Sequence, residues 1–160
     1  MRSTGLVLPL VLAITVPACT AADSQSHSRR GGPEASEPLE PRQLPPVPTE
    51  PNFVLFVSNQ SFDIDPVDVG IFIDDELAVE GDFLVGSQHS WHKFDLQLGP
   101  GKHTIRAMTS AGDVERVDTF ELPGETRYAV VNFWYYPQTD SEAYGPIFSF
   151  DLFEDPPGFD

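Results

Sequence analysis

The stretch Trp91-His92-Lys93-Phe94-Asp95-Leu96-Gln97-Leu98 decides the fold class of this chain. Apolar and polar residues alternate along it, so that every second side chain, starting with His92, falls on one apolar face. A period of two is typical of a β-strand with one buried and one solvated face. Gly99-Pro100-Gly101 marks a turn, and Lys102–Thr109 has the composition of a second strand. We expect the two strands to pair as a hairpin.

The same pattern of short β-branched and aromatic runs continues on both sides of this segment. The other predicted strands are Phe53–Ser58, Val67–Ile73, Val114–Leu122, Arg127–Tyr136 and Ile147–Phe153. Asp74-Asp75 is predicted to be a turn after the second of these. No ten-residue stretch has a helical period. Residues 52–160 are therefore predicted to form an all-β domain, a two-layer antiparallel β-sandwich of seven or eight strands.

The first eighteen residues have the features of an export signal. Arg2 supplies a positive charge, and an apolar run from Leu6 to Val16 follows. This run is too short for a permanent membrane-spanning helix. Residues 1–18 are therefore predicted to be a cleaved signal peptide.

Cys19 is the single cysteine of the chain, which leaves no partner for a disulfide. Val16-Pro17-Ala18-Cys19 resembles the bacterial lipobox, in which the cysteine receives a diacylglycerol. The resemblance implies that Cys19 is lipidated and that the protein is held to a membrane by its lipid anchor. Thr20 follows the cysteine, where Asp would favour the inner membrane, so the resemblance points to the outer membrane. The alternative is an ordinary secretory signal with an incidental cysteine.

Residues 19–51 differ from the rest of the chain in composition. They contain seven prolines and few apolar residues, so they cannot build a core. We expect a disordered, proline-rich tether after the lipidated cysteine. An alternative interpretation of part of this segment is that Pro45-Pro46-Val47-Pro48 is a docking motif for a partner domain.

The chain is strongly acidic, with a formal net charge of −16. Residues 52–160 hold twenty acidic and five basic residues, a net charge of −15. Such a domain repels phosphate backbones, which excludes nucleic acid as a partner. Asp63, Asp65 and Asp68 are candidate ligands for calcium because hard cations prefer several converging oxygens. The spacing does not match an EF-hand, and the alternative is a solvated acidic face.

Phe133-Trp134-Tyr135-Tyr136 is the most unusual local composition in the chain. In a strand, Trp134 and Tyr136 point to one side and their two neighbours to the other. One pair should therefore lie in the core. Trp134 and Tyr136, together with Trp91 and with Tyr144 as a neighbour, form a candidate aromatic platform that would stack on sugars or anchor a protein interface. The alternative is that the sandwich covers both pairs.

No motif of nucleophilic, phosphate-binding or metal-dependent catalysis is recognisable. His89 and His92 fall on opposite sides of an extended strand, and a zinc site would need further ligands. We therefore expect a protein that is not an enzyme and that needs no cofactor, with calcium as the only candidate ion.

Two segments resemble the PEGA-like group of small bacterial surface β-domains. They are Val69–Glu76, a strand running into Ile-Asp, and Leu96–Arg106, with the pattern Leu-Gly-Pro-Gly-Lys-His-Thr-Ile. The resemblance covers about forty of the 160 residues. It implies a β-sandwich module on the outside of a bacterial cell and implies no catalytic residues.

These observations favour a non-catalytic, lipid-anchored cell-envelope protein whose acidic β-sandwich serves as a protein-interaction or structural module. The main alternative is a carbohydrate-binding module that uses the aromatic platform. A calcium-binding accessory to a hydrolase or transferase is a third interpretation. The expected partner is thus an envelope protein or a glycan.

Overall fold

The computed structural model of the chain describes residues 37–61, 63–86, 90–139 and 142–158. Within these ranges the chain forms nine β-strands and no helix, so no described helix could cross a membrane. The strands are β1 (Arg42–Gln43), β2 (Phe53–Asn59), β3 (Val67–Ile73), β4 (Glu76–Phe83), β5 (His92–Leu96), β6 (Gly101–Thr109), β7 (Val114–Leu122), β8 (Arg127–Thr139) and β9 (Glu142–Phe153).

The strands form two sheets, which confirms the predicted all-β sandwich. Sheet A has the order β1-β4-β3-β6-β7, and sheet B has the order β5-β2-β8-β9. Sheet B is mixed rather than fully antiparallel, because β2 and β8 run parallel. The core between the sheets is rich in aromatic rings, and its largest fully buried side chains are Phe53, Phe83, Phe133 and Phe148.

Alternation along each strand places the core, as the sequence predicts. In β3, Val67, Val69, Ile71 and Ile73 are all buried, and the residues between them are not. Asp74 and Asp75 join β3 to β4 with φ values of 50° and 67°. A two-residue hairpin turn of type I′ requires positive φ at both positions. The predicted turn at Asp74-Asp75 is confirmed, and it leads into β4, a strand that was not predicted.

The predicted hairpin between Trp91–Leu98 and Lys102–Thr109 is wrong. β5 pairs with β2 in sheet B, whereas β6 pairs with β3 and β7 in sheet A. Gly99-Pro100-Gly101 does reverse the chain, but the reversal carries it from one layer to the other. Asn52 fixes the end of β5 to β2 by donating from Nδ2 to the Leu98 carbonyl and accepting from the Leu98 amide at 2.9 Å.

The predicted domain boundary at residue 52 lies too late in the chain. The last part of the predicted disordered tether adds β1 to the edge of sheet A, where Arg42 and Gln43 pair with Glu80 and Val79. The Asp82 amide donates to the Leu39 carbonyl at 2.6 Å, and the Leu44 amide donates to the Ala78 carbonyl at 2.9 Å. Residues 39–44 are here named the strap.

The predicted signal peptide, Cys19 and residues 19–36 of the predicted tether lie outside the described residues. The same holds for His89, one of the two histidines weighed for zinc, and for the side chain of Tyr144, whose backbone pairs with Tyr136.

Candidate functional site

The outer face of sheet B, the side turned away from the core, carries most of the candidate residues. Trp134 and Tyr136 of β8 lie on this side, and so do Val54 of β2 and Val130 and Asn132 of β8, as the alternation of the strands dictates. Val54 and Val130 are only 5% and 6% exposed. The side chains in the middle of this face are therefore buried, although they do not belong to the core between the two sheets.

Trp134 and Tyr136 form one aromatic unit. Their ring centroids are 6.1 Å apart, and their planes are within 16° of parallel. The Trp134 indole nitrogen donates a hydrogen bond to the Ser149 hydroxyl at 3.0 Å, which fixes the ring on the sheet. Phe133 is fully buried and Tyr135 packs against the core, which confirms that one pair of the aromatic run faces inward.

The two aromatic rings stand on a two-stranded extension of sheet B. The pairing of β2 with β8 ends at Asn59 and Phe133, whereas β8 and β9 continue to pair as far as Thr139 and Glu142. Residues 134–139 and 142–147 are here named the aromatic ribbon. Ile147 lies opposite Trp134 on the outer side and is 47% exposed. The ribbon therefore presents Trp134, Tyr136 and Ile147 together.

Trp91, the third residue of the predicted platform, is held separately through Asn132. The amide oxygen Oδ1 of Asn132 accepts from the Trp91 indole nitrogen at 3.1 Å and from the Ser58 hydroxyl at 2.6 Å. Gln60 in turn donates to the Ser58 oxygen at 2.9 Å. The indole nitrogen can only donate, so these contacts identify the bound Asn132 atom as oxygen.

A groove of about 540 Å³ lies beside Trp91 on this face. Val130 and Asn132 lie along it, and Phe153 and the C-terminal segment 154–158 complete its lining. Three of the described lining residues carry carboxylates, Asp151, Glu154 and Asp155, and the Glu154 carboxylate lies 3.6 Å from the Arg127 guanidinium. This feature is here named the Trp91 groove.

The structure does not bring the calcium candidates together. Asp65 accepts from the Val85 amide, whereas Asp68 accepts from the Thr109 hydroxyl and the Ser110 amide. Burial alone would raise the pKa of Asp68, but these hydrogen bonds outweigh it and lower that pKa. Asp63 donates its amide to the Ser61 hydroxyl. In the part of the chain that the structure describes, no three acidic, histidine or cysteine residues are grouped to hold a metal.

A histidine with a shifted pKa lies away from this face, on sheet A. His103 of β6 has Nδ1 2.6 Å from an Asp74 oxygen and Nε2 2.7 Å from the Gly99 carbonyl. Only the doubly protonated ring can donate to both acceptors. Burial lowers the pKa of His103, but the bonds to Asp74 and Gly99 and the charges of Asp74 and Glu121 outweigh it and raise that pKa.

Sequence reasoning found the aromatic residues of the site but missed its polar centre. Asn132 stands two residues before Trp134, on the same side of β8, and is the only residue between Ala129 and Tyr136 that is neither aliphatic nor aromatic. That isolated polar position was the available signal. No local sequence pattern indicates that residues 154–158 lie beside Trp91, because the two segments are far apart in the sequence.

Comparison with models of protein families, with curated proteins and with solved structures finds no match to this chain.

Proposed function

We propose that this chain is a non-catalytic, lipid-anchored protein of the bacterial cell envelope whose acidic β-sandwich docks a partner protein. The aromatic ribbon is the docking element, and the outer membrane is the proposed location. The observation that carries the proposal is the grouping of Trp134, Tyr136 and Ile147 on one side of a ribbon that extends beyond β2.

The chemistry of these side chains suits a protein interface. Tryptophan and tyrosine are enriched among the residues that dominate binding energy, because they bury a large area and keep a polar handle. The indole nitrogen of Trp134 is already bound to Ser149, so docking would cover the ring without leaving that donor unsatisfied. The acidic domain favours a partner with basic residues around its contact.

The anchor in this proposal is supported by the sequence Val16-Pro17-Ala18-Cys19. Each buried acyl methylene contributes about 0.8 kcal/mol, and more than one chain gives durable attachment to a bilayer. A domain held at the membrane meets envelope partners at a high local concentration, which lowers the affinity that each contact must supply.

The docking proposal is tested by photo-crosslinking in cells that express the full chain. A photoreactive phenylalanine at Tyr136 is expected to give a discrete adduct with one envelope protein. The matched control is the same group at Val117, which is 55% exposed on sheet A. The adduct should disappear in Trp134→Ala. Equal crosslinking from both positions, or an adduct that survives Trp134→Ala, would contradict the proposal.

The anchor is tested separately with Cys19→Ala and with globomycin, which blocks lipoprotein signal cleavage. The wild-type chain should carry the mass of a diacylglycerol and should sediment with membranes. Both properties should be lost in Cys19→Ala. A wild-type chain recovered from the soluble fraction with an unmodified thiol would refute this part of the proposal.

A further inference from the structure

The Trp91 groove has a polar floor whose orientation is fixed. Asn132 is only 9% exposed, and its Oδ1 accepts from both Ser58 and Trp91. The other amide atom, Nδ2, must therefore carry the two donor hydrogens. No residue in the described part of the chain accepts a hydrogen bond from this nitrogen. The groove thus offers a hydrogen-bond donor of fixed orientation.

The walls of the groove supply the complementary groups. Asp151, Glu154 and Asp155 provide carboxylate acceptors, whereas Trp91, Phe153 and the prolines of segment 154–158 provide apolar surface. The bond from Trp91 to Asn132 holds the indole beside the donor. Apolar walls around a few placed polar groups, in a volume of about 300–1,000 Å³, are typical of small-ligand sites.

This polarity discriminates among ligand classes. An anionic ligand would meet the carboxylates of Asp151 and Asp155, whereas the third carboxylate, Glu154, lies 3.6 Å from Arg127. An ammonium or guanidinium group can only donate, so it cannot pair with the Asn132 amide nitrogen, which is itself a donor. A hydroxyl both accepts and donates, and it can therefore bridge Asn132 Nδ2 and the Asp151 carboxylate. A sugar ring combines such hydroxyls with an apolar face that packs on an aromatic ring.

We propose that the Trp91 groove is a saccharide-binding subsite that takes a neutral sugar ring, with Trp91 as the stacking residue and Asn132 and Asp151 as hydroxyl partners. It rests on the carbohydrate alternative and not on the docking proposal, because the groove and the aromatic ribbon share no residue. It also narrows the stacking surface of that alternative, which included Trp134 and Tyr136, to Trp91.

The test is calorimetric titration of the mature full chain, kept in a detergent without a sugar headgroup. The probes are maltohexaose, cellohexaose and N-acetylated chitohexaose, with a galacturonate hexamer as the anionic control. At least one neutral probe should bind saturably, and the galacturonate should not. The affinity should fall about tenfold or more in Trp91→Ala and in Asn132→Asp, which keeps the bound oxygen and removes the donor.

Two further variants keep the result interpretable. Asp151→Ala changes an exposed side chain of the groove and should also weaken binding without unfolding the domain. Trp134→Ala removes a tryptophan from the same face outside the groove and should leave saccharide binding unchanged. The inference is overturned if no neutral probe binds at millimolar concentration, if the galacturonate binds equally well, or if binding survives both Trp91→Ala and Asp151→Ala. None of these results would bear on docking at the aromatic ribbon.

Discussion

The outer faces of the two sheets differ in how their large side chains are used. On sheet A, Arg106 lies over the Phe72 ring, 4.0 Å from its centroid, and Arg42 pairs with Glu80 at 2.6 Å. On sheet B, the indole nitrogens of Trp91 and Trp134 bind Asn132 and Ser149 of the sheet itself. Both sheets carry surface ion pairs, since Lys93 pairs with Asp95 on sheet B at 2.9 Å, but only sheet B carries tryptophans on its outer face.

This difference explains why we place binding on sheet B. A surface ion pair is hydrated, so covering it requires desolvation that the new contact must offset. An indole whose nitrogen is already bound has no such cost, and its carbon surface contributes about 25 cal/mol for each square ångström removed from water. The following variants either break or sharpen the contrast between the faces.

The largest expected effect separates the two sides of β8. Phe133→Ala removes a fully buried ring that packs edge to face on Phe148 at 5.3 Å, and it should cost about 3–5 kcal/mol of unfolding free energy. Trp134→Ala changes the next residue, on the outer side, and should cost clearly less. Urea unfolding of both variants measures the difference. An equal loss would mean that the outer aromatic ring belongs to the folding core and is not reserved for binding.

The second effect concerns the edge of sheet A. A Cβ at Gly81 would lie 2.5 Å from Cα and 2.8 Å from N of Pro41, and backbone atoms cannot move aside as a side chain can. Gly81→Ala should therefore displace the strap and cost about 1–3 kcal/mol. Hydrogen exchange at the Asp82 and Leu44 amides should accelerate with it.

Gly70→Ala is the matched control for the strap. A Cβ at Gly70 would have no neighbour closer than the 3.4 Å contact to Phe72 Cε2, so this change should leave the strap in place. Unchanged exchange at Asp82 in Gly81→Ala would show that the strap is not part of the sheet.

A smaller effect depends on pH and belongs to sheet A alone. The fold raises the pKa of His103 above its ordinary 6.5, so its stabilising contribution is complete below that pH and is lost as the pH rises through the folded value. The fold lowers the pKa of Asp74 below its ordinary 3.8, chiefly through the hydrogen bond from the Thr104 amide and then through that from His103. The stability that Asp74 contributes is therefore lost only in acid, as the pH falls below 3.8. Unfolding free energy measured from pH 5 to 9 should decline on the alkaline side.

His103→Gln should flatten that alkaline decline, because it removes the titrating ring while Asp74 retains the Thr104 amide. A variant with the same pH profile as the wild type would assign the decline to another group.

The smallest effect is expected from the ion pairs of sheet A. Arg42→Gln removes the partner of Glu80, but the arginine side chain is 61% exposed, so the cost should be about 0–1 kcal/mol. Crosslinking at Tyr136 and saccharide titration should be unchanged in this variant. A loss of either signal would show that sheet A shares in binding.

Local patterns in the sequence predicted the local features of the fold. Alternation marked the core face of β3, and the Asp-Asp pair marked its turn, because both depend on neighbouring residues. The predicted hairpin of β5 and β6 was wrong, because a turn signal shows that the chain reverses and not whether the two strands pair. The strap was wrongly predicted to be part of a disordered tether for a related reason. Its two backbone pairs at the edge of sheet A require no apolar residues, so the composition of the segment did not indicate a strand.

The candidate site divides in the same way. Trp134 and Tyr136 could be placed on one side by counting residues, and their composition drew attention to them. The Trp91 groove could not be predicted, since Asn132, Asp151 and the segment 154–158 converge only after the strands pair.

The most direct test of the account uses the two tryptophans of the chain as separate reporters. A proton–nitrogen correlation spectrum has two indole signals, which Trp91→Phe and Trp134→Phe assign. Addition of the neutral oligosaccharide should shift the Trp91 signal and leave the Trp134 signal in place. Addition of the envelope protein identified by crosslinking should shift the Trp134 signal and leave the Trp91 signal in place. If neither signal moves with either ligand, the outer face of sheet B is not the binding surface.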